Sequence, residues 1–197
     1  MDIKYGINDA FTLDVTLIPD FGEAQSDNQV LNLSPFEVRF DENRQFFTEG
    51  TELFNKGGLF YSRRVGGRPI HYYDVYNQMA EDEEIIENPQ QSQLYNATKI
   101  SGRNTRGLGI GLFNATSGRT MALLRNSEGI EREIQTNPLT NYNVFVLDQN
   151  LKNNSYVTLI NTTVLRSGSD YDANVTGAVI GMRNKKNTYE VRGSGAL

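Results

Sequence analysis

The sequence predicts an all-β chain whose antiparallel strands follow one another as a meander of hairpins. Residues 3–18 contain a period-two alternation, in which Phe11, Leu13 and Val15 share one side of a strand and polar residues share the other. From residue 95 onward, segments of roughly ten residues are separated by short runs of Asn, Gly, Ser and Lys, as in consecutive hairpins. No helical pattern with capping residues interrupts these segments.

The last strands indicate that this meander forms part of an outer-membrane-type β-barrel. In residues 171–182, one face would be small and apolar, and the other would be polar at one end only. A soluble sandwich needs large apolar residues on its inward face, whereas a membrane barrel tolerates Gly, Thr, Asn and Ser around a wet lumen. The mean hydropathy of -0.51 fits a barrel, because its strands alternate polar and apolar residues. The sequence contains no run of about 18 apolar residues that could form a membrane-spanning helix.

The chain divides into three predicted parts of one partial barrel domain. Residues 1–18 form a first strand, residues 19–94 form an irregular segment that fills the lumen or lines its rim, and residues 95–197 form the hairpin meander. The acidic run at residues 81–87 is expected to be a solvated loop. The amino terminus lacks the features of a signal peptide, and the pattern of the last residues is that of an unfinished strand. We therefore expect an internal piece of a longer exported chain.

The composition excludes several function classes. The net charge is -5, so the chain has no basic footprint for nucleic acid. Cysteine is absent, which removes disulfides, thiolate metal sites and cysteine nucleophiles. The single histidine, His71, cannot build a multi-histidine metal site, and no serine has the surroundings of a nucleophile elbow. The sequence predicts neither a cofactor nor a metal.

Two short motifs have simpler explanations than ligand binding. The glycines of "GLGIG" (residues 107–111) alternate inside a predicted strand, whereas a dinucleotide fingerprint needs a tight turn between a strand and a helix. We interpret them as positions where bulky neighbours approach one sheet face closely. The run "DYDANVTG" (residues 170–177) resembles the start of a calcium loop, but the required glycine at the sixth position is Val175. It is better explained as a hairpin mouth.

The stretch at residues 31–64 combines many Phe residues with many charges. Its carboxylates, among them Glu42 and Glu49, could serve as a glycosidase pair, because that reaction uses two carboxyl groups about 5–10 Å apart. Arginines are interleaved with them, however, and a carboxylate beside Arg is normally a structural ion pair. We expect this stretch to fold inward against a polar lumen or to cap one end, so that its Phe residues pack and its charges pair.

The run from "TLDVTLIPDF" to "FYSRRVGG" (residues 12–67) resembles a family of Bacteroidota-type outer-membrane barrel proteins of unassigned function. The family pattern runs from "PDF" through "NL-x-x-FE-x-x-F-x-E-x-RPFF-x-EG-x-x-LF" to "FYSRRIG". The matching positions here are Pro19, Asp20, Phe21, Asp27, Asn32, Leu33, Phe36, Glu37, Phe40, Glu42, Arg44, Phe46, Phe47, Glu49, Gly50, Phe54, Tyr61, Ser62, Arg63, Arg64 and Gly66. Gln45 departs from the usual Pro, and residues 23–25 have a shuffled spacing. The later hairpins also look like the family's early barrel hairpins, so the resemblance covers nearly the whole chain.

The resemblance implies a non-enzymatic barrel scaffold in the cell outer membrane, used for uptake, export or surface display. In the family, the barrel usually follows a module similar to family 9 carbohydrate-binding domains, so glycans and outer-membrane lipid are the implied partners. Two alternatives stay open: a carbohydrate-active enzyme of glycoside hydrolase type, and a soluble β-rich carbohydrate-binding domain whose sugar-stacking surface includes Tyr76. No catalytic residue is assigned. The candidate binding residues are Glu37, Glu42, Arg44, Glu49, Arg63, Arg64, Tyr72 and Tyr73.

Overall fold

Antiparallel strands dominate the structure, a computed structural model that describes residues 1–19 and 39–197. The strands are β1 (Asp2–Asn8), β2 (Phe11–Leu17), β3 (Glu83–Glu87), β4 (Leu94–Arg103), β5 (Leu108–Ser117), β6 (Thr120–Asn126), β7 (Glu131–Asn137), β8 (Thr140–Asn150), β9 (Tyr156–Arg166), β10 (Ala173–Arg183) and β11 (Glu190–Ala196). Two short helices, α1 (Gln45–Thr48) and α2 (Val75–Gln78), lie between β2 and β3. Tighter 3-10 turns occur at Lys56–Gly58, Ser62–Arg64 and Lys152–Asn154. The all-β prediction is confirmed.

The strands form two sheets. The large sheet has eight strands in the order β1-β2-β4-β5-β8-β9-β10-β11, and the small sheet has three in the order β3-β6-β7. Every pairing within the described residues is antiparallel, and none joins β1 to β11, so the large sheet has two open edges there. No helix in the described part of the chain is long and apolar enough to cross a membrane.

The amino-terminal segment is a hairpin rather than the single strand expected at residues 1–18. Strand β1 pairs with β2, and a tight turn at residues 9–10 separates them. The side-chain oxygen of Asn8 accepts hydrogen bonds from the backbone N–H groups of Ala10 and Phe11. An Asn side chain that caps its own turn in this way can reverse the chain without Gly or Pro. The strand predicted from the alternation in residues 11–17 is confirmed, and the turn before it makes the segment a hairpin.

Residues 118–139 leave the meander that was predicted to run through residues 95–197. Strand β6 pairs with β7 on one side and with β3 on the other, and β3 contains most of the acidic run expected to be a loop. Ile85 of this run lies opposite Leu124 and packs on a small core of Val75, Ala122, Leu124 and Ile134. Ile85 therefore gains burial because the run forms a strand, whereas Ile86 on the opposite face stays exposed. We call α2 and the three-stranded sheet the cap.

The connections of the large sheet are short at one end. At this turn end, residues 9–10, 104–107, 151–155 and 184–189 join consecutive strands. At the opposite loop end, the chain makes two long excursions, of which residues 118–139 are one, and a short one at residues 167–172. The cap is built from the two long excursions. Because both excursions leave the large sheet at the loop end, chain connectivity places the cap at that end.

Four Phe residues of the stretch at residues 31–64 form a core against the large sheet. Residues 44–66, called the covering segment, pack on one sheet face, which we call the inner face. Phe113 of β5 lies at the centre, with ring centroids 5.2–6.4 Å from those of four covering-segment aromatics, which are Phe46, Phe47, Phe54 and Phe60. Burial of such aromatic surface is the main stabilising contribution available to this segment.

Small residues on the inner face make this packing possible. A Cβ atom on Gly111 would lie 3.1 Å from the Phe54 ring, and one on Gly109 would lie 2.8 Å from a Leu53 methyl group. On β10, a Cβ atom on Gly177 would lie 2.3 Å from a Leu59 methyl group. The expectation that the "GLGIG" glycines admit bulky neighbours to one sheet face is confirmed for the two glycines within β5.

Candidate functional site

Charge is confined to one face of the large sheet. The strand registers place every charged residue of its eight strands on the inner face. These residues are Asp2, Lys4, Asp14, Lys99, Arg103, Asp148, Arg166, Arg183, Glu190 and Arg192. The opposite face, called the outer face, has no charged side chain on these strands. A random distribution of charge over a solvated sheet would not produce this segregation.

The outer face is divided into an apolar part and an uncharged polar part. The apolar band, nearer the turn end, consists of Leu13, Ile100, Leu112, Phe145, Leu147, Leu159, Ile180 and Met182. The amide zone, nearer the loop end, consists of Asn96, Thr98, Asn114, Thr116, Asn141, Asn143, Asn161, Thr163, Asn174 and Thr176. Leu159 is 48% exposed, so the band is open to whatever surrounds the outer face.

The amide zone is held together by side-chain hydrogen bonds across the strands. Asn114 Nδ2 donates to Asn143 Oδ1 at 2.8 Å, and Asn161 Nδ2 donates to Thr176 Oγ1 at 2.8 Å. Hydrogen bonds of this kind satisfy polar groups without any charge. The outer face therefore stays uncharged even where it is polar.

Lys99 anchors the covering segment to the inner face. Its side chain is 3% exposed, and Nζ donates a hydrogen bond at 2.8 Å to the carbonyl oxygen of Phe46 and a second one to that of Glu49. The carboxylate of Asp14 on the neighbouring strand lies 3.6 Å from the ammonium. Burial lowers the pKa of Lys99, although Asp14 and the charge of Glu49 act in the opposite direction. A lysine in this setting tethers α1 and the turn after it to strand β4.

Asp148 forms a second anchor nearer the turn end. Its side chain is fully buried, with Lys56 of the covering segment 2.8 Å away and with Arg103 of β4 as a second cationic partner. Thr158 of β9 also donates to it. Burial disfavours the charged form, but these donors outweigh it and hold the pKa of Asp148 below its ordinary value. The two anchors therefore hold the covering segment at residues 46–49 and at Lys56.

Glu42 and Arg44 form a largely buried ion pair. The Arg44 guanidinium donates to both oxygens of Glu42 at 2.8 Å, and Ser62 Oγ donates to Glu42 at 2.6 Å. Burial opposes ionisation of Glu42, yet the hydrogen bonds from Arg44 and Ser62 keep its pKa below the ordinary value. Because a general acid needs a raised pKa, this carboxylate is arranged as a structural partner rather than as a catalytic acid.

The other charged candidates do not join Glu42 in one site. Glu49 is exposed and pairs with Lys4 of β1 at 2.6 Å. Arg63 and Arg64 lie in a 3-10 turn before the buried Val65, and neither side chain is without an interaction partner. Glu37 lies outside the described residues. The structure therefore brings Glu42 and Arg44 together and places Glu49 in a separate ion pair.

The two tyrosines form an exposed cluster with Arg68. The rings of Tyr72 and Tyr73 meet edge to face with centroids 5.0 Å apart, and the Arg68 guanidinium lies over both. Arg68 also donates to the Tyr73 hydroxyl at 2.7 Å. Tyr73 is 60% exposed. This cluster lies beside α2 of the cap and away from the ion pairs of the inner face.

Sequence reasoning missed the residues that anchor the covering segment. Lys99 and Asp148 each occupy one position in an alternating strand, where a charged side chain ordinarily marks the solvated face. Their roles depend on partners that are distant in sequence or on another strand. The two residues whose carbonyl oxygens accept from Lys99, Phe46 and Glu49, are 53 and 50 residues away. In the described ranges 1–19 and 39–197, no group of three or more acidic or histidine side chains could hold a metal ion.

Together, the fold and this site define an all-β protein whose large antiparallel sheet has one charged, covered face and one uncharged face. The chain belongs to the DUF5916 family, a domain of unknown function, whose family model matches residues 1–197. The expected membership of a family of unassigned function is thereby confirmed over the whole chain. A search of curated proteins and a search of solved structures each returned no match.

Proposed function

We propose that the large sheet is a sector of an outer-membrane β-barrel, within a longer exported chain, that acts as a scaffold for uptake, export or surface display. The observation that carries this proposal is the confinement of all strand charges of the large sheet to the inner face. The inner face would line the lumen, the covering segment would fill part of it, and outer-membrane lipid would contact the outer face.

The energetics of charge in lipid support this assignment. A single Arg or Lys on the lipid face of a barrel costs about 2–4 kcal/mol at the bilayer midplane. In water, an exposed charge at the same position costs almost nothing, and surface substitutions change stability by about 0.5 kcal/mol or less. Ten strand charges, all sorted to one side, are therefore expected for a sheet in a bilayer but not for a solvated sheet.

The lengths of strands and connections support the same proposal. Transmembrane strands need about 9–11 residues, and β4, β5, β8, β9 and β10 have 10 or 11. Outer-membrane barrels have short periplasmic turns and longer extracellular loops. The turn end would then face the periplasm, and the loop end with the cap would face outward. The amide zone would lie on the outward side of the apolar band.

Open edges require further strands under this proposal. Unpaired backbone N–H and C=O groups cost several kcal/mol each in lipid, so barrels close on themselves. Strands outside residues 1–197 would pair with β1 and β11 to close the wall. The number of those strands would set the width of the lumen that the covering segment occupies.

A charge scan on one strand tests this proposal. Leu159→Arg places a cation in the apolar band, and Thr163→Arg places one on the same strand and face but in the amide zone. For the protein reconstituted in vesicles, we expect Leu159→Arg to lower the unfolding free energy by about 2–4 kcal/mol and Thr163→Arg by about 0–1 kcal/mol. Equal, small effects at both positions, together with a stable fold in detergent-free buffer, would contradict the membrane assignment.

A soluble carbohydrate-binding domain is the second candidate, supported by the exposed tyrosines near α2. Tyr73 and Tyr76 are 60% and 54% exposed, and Arg68 lies over the Tyr72 and Tyr73 rings. Exposed aromatic faces of this kind can serve as platforms for sugar rings. This candidate predicts that glycans quench the tyrosine fluorescence of a monodisperse protein without detergent, and that Tyr73→Ala abolishes the quenching. No response to any member of a glycan panel would reject it.

A further inference from the structure

His71 joins two loop-end connections that are far apart in sequence. Its Nδ1 lies 2.7 Å from the carboxylate of Asp74, which precedes α2. Its Nε2 lies 2.7 Å from the carboxylate of Asp170, in the connection between β9 and β10 and 99 residues further along the chain. The imidazole is therefore bridged by two carboxylates through both of its nitrogens.

The two sides of this bridge belong to different parts of the fold. On the cap side, the backbone N–H of His71 donates to the carbonyl oxygen of Thr136 on β7 at 2.9 Å. On the other side, the backbone N–H of Arg166, the last residue of β9, donates to the carboxylate of Asp172 at 2.7 Å. A change in the bridge would therefore act between the cap and the β9–β10 connection.

We propose that His71, Asp74 and Asp170 form a pH-sensitive clasp that holds the cap against the β9–β10 connection when the imidazole is protonated. The clasp releases as the ring loses its second proton. This inference is independent of the proposed membrane function, because it depends on three side chains outside the strands of the large sheet. It gives the loop end of the protein a response to the pH of the surrounding medium.

The protonation chemistry explains the release. A charged imidazolium donates a hydrogen bond from each ring nitrogen, so it satisfies both carboxylates at once. A neutral imidazole donates only one, and the lone pair of its other nitrogen then faces a carboxylate. The charged groups that face the ring are Asp74 from its own turn and Asp170 from the β9–β10 connection. The contact of His71 with β7 is a backbone hydrogen bond to a carbonyl oxygen and carries no charge.

The direction of the pH dependence follows from these partners. The hydrogen bond with Asp170 raises the pKa of His71 most, burial opposes this, and Asp74 raises the pKa further. A raised pKa means that the clasp contributes its full stabilisation below the ordinary histidine value of about 6.5. That stabilisation is lost as the pH rises through the raised value. Acidification therefore closes the clasp, and alkalinisation opens it.

The titration of the ring is the first half of the test. Because His71 is the chain's single histidine, its ring signal in an NMR titration needs no assignment. We expect a midpoint above that of the same protein in denaturant, and a lower midpoint in Asp170→Asn, which keeps the side-chain shape. A wild-type midpoint at or below the denatured value, or no shift in Asp170→Asn, would overturn the proposal.

A measurement of the distance across the clasp is the second half of the test. The chain has no cysteine, so spin labels at Asn77→Cys and Ser169→Cys would report only this gap. We expect a narrow distance distribution below the midpoint measured by NMR and a broad one above it. The same label pair with His71→Gln should give a distribution that does not change over this pH range. A wild-type distribution that is constant while the ring titrates would show that the bridge is not a clasp.

Discussion

Replacing Lys99 by Met should detach the covering segment from β4. The substitution keeps an unbranched side chain in the same space but removes the ammonium that donates to the carbonyl oxygens of Phe46 and Glu49. Each hydrogen bond to a charged group contributes about 1.5–3 kcal/mol, so the two together contribute about 3–6 kcal/mol. Relief from burying the charge offsets part of this loss, and we expect a net destabilisation of about 2–3 kcal/mol.

Chemical denaturation followed by circular dichroism measures this loss, in the solvent or detergent where the wild-type protein is monodisperse. The matched control is Lys4→Met, which removes an exposed lysine that pairs with the side chain of Glu49. Solvent screening leaves such an exposed pair with almost no contribution to stability, so we expect no change in the unfolding free energy beyond experimental error. If both variants unfold at the same denaturant concentration as the wild type, the anchor role of Lys99 is wrong. Increased proteolytic cleavage within residues 44–66 in Lys99→Met alone would further support it.

Two other predictions concern packing and pH. In Gly102→Ala, the new Cβ atom would collide with the carbonyl oxygen of Ala10 and the backbone of Phe11, which cannot move aside as a side chain could, so overpacking should cost about 1–3 kcal/mol in a denaturation experiment. In Gly195→Ala, nothing lies within 4 Å of the new atom, and a similar loss there would refute the packing argument. For Glu42, burial opposes ionisation, but hydrogen bonds from Arg44 lower the pKa below the ordinary value of 4.5. The ionised Glu42 therefore stabilises the folded protein above pH 4.5, and this stabilisation is lost as the pH falls through the lowered pKa. In Glu42→Gln, the unfolding free energy should therefore fall less steeply with decreasing pH than in the wild type. An unchanged pH dependence would contradict the assignment.

The alternation of residues along single strands was readable from the sequence because it depends on neighbours two positions apart. The apolar set beginning at Phe11 and the hairpins from residue 95 onward are examples. The departure of residues 118–139 into a second sheet was not readable, because β6 alternates like the strands before it. Its partner, β3, lies within a run whose charges indicated a loop.

The sorting of charge to one face of the large sheet can be recognised only from the strand registers. Each strand of the large sheet has at most two charged residues, so no single strand shows the pattern. Only the alignment of eight strands reveals that all these residues lie on the same side. The bridge from His71 to Asp170 was likewise inaccessible, because 99 residues separate the two. The interleaving of charges predicted that the carboxylates of this stretch pair with arginines, and the structure shows Glu42 paired with Arg44, two residues away.

If lipid contacts the outer face of the large sheet and not the inner face, tryptophan fluorescence in brominated vesicles should distinguish the two faces. The chain has no tryptophan, so Ile180→Trp on the outer face and Ser194→Trp on the inner face each introduce a single reporter. The two positions occupy adjacent rows of β10 and β11, and so lie at nearly the same depth. The membrane assignment predicts that bromine on the acyl chains quenches Ile180→Trp strongly and leaves Ser194→Trp nearly unchanged. Equal quenching of the two reporters, or none in either, would contradict it.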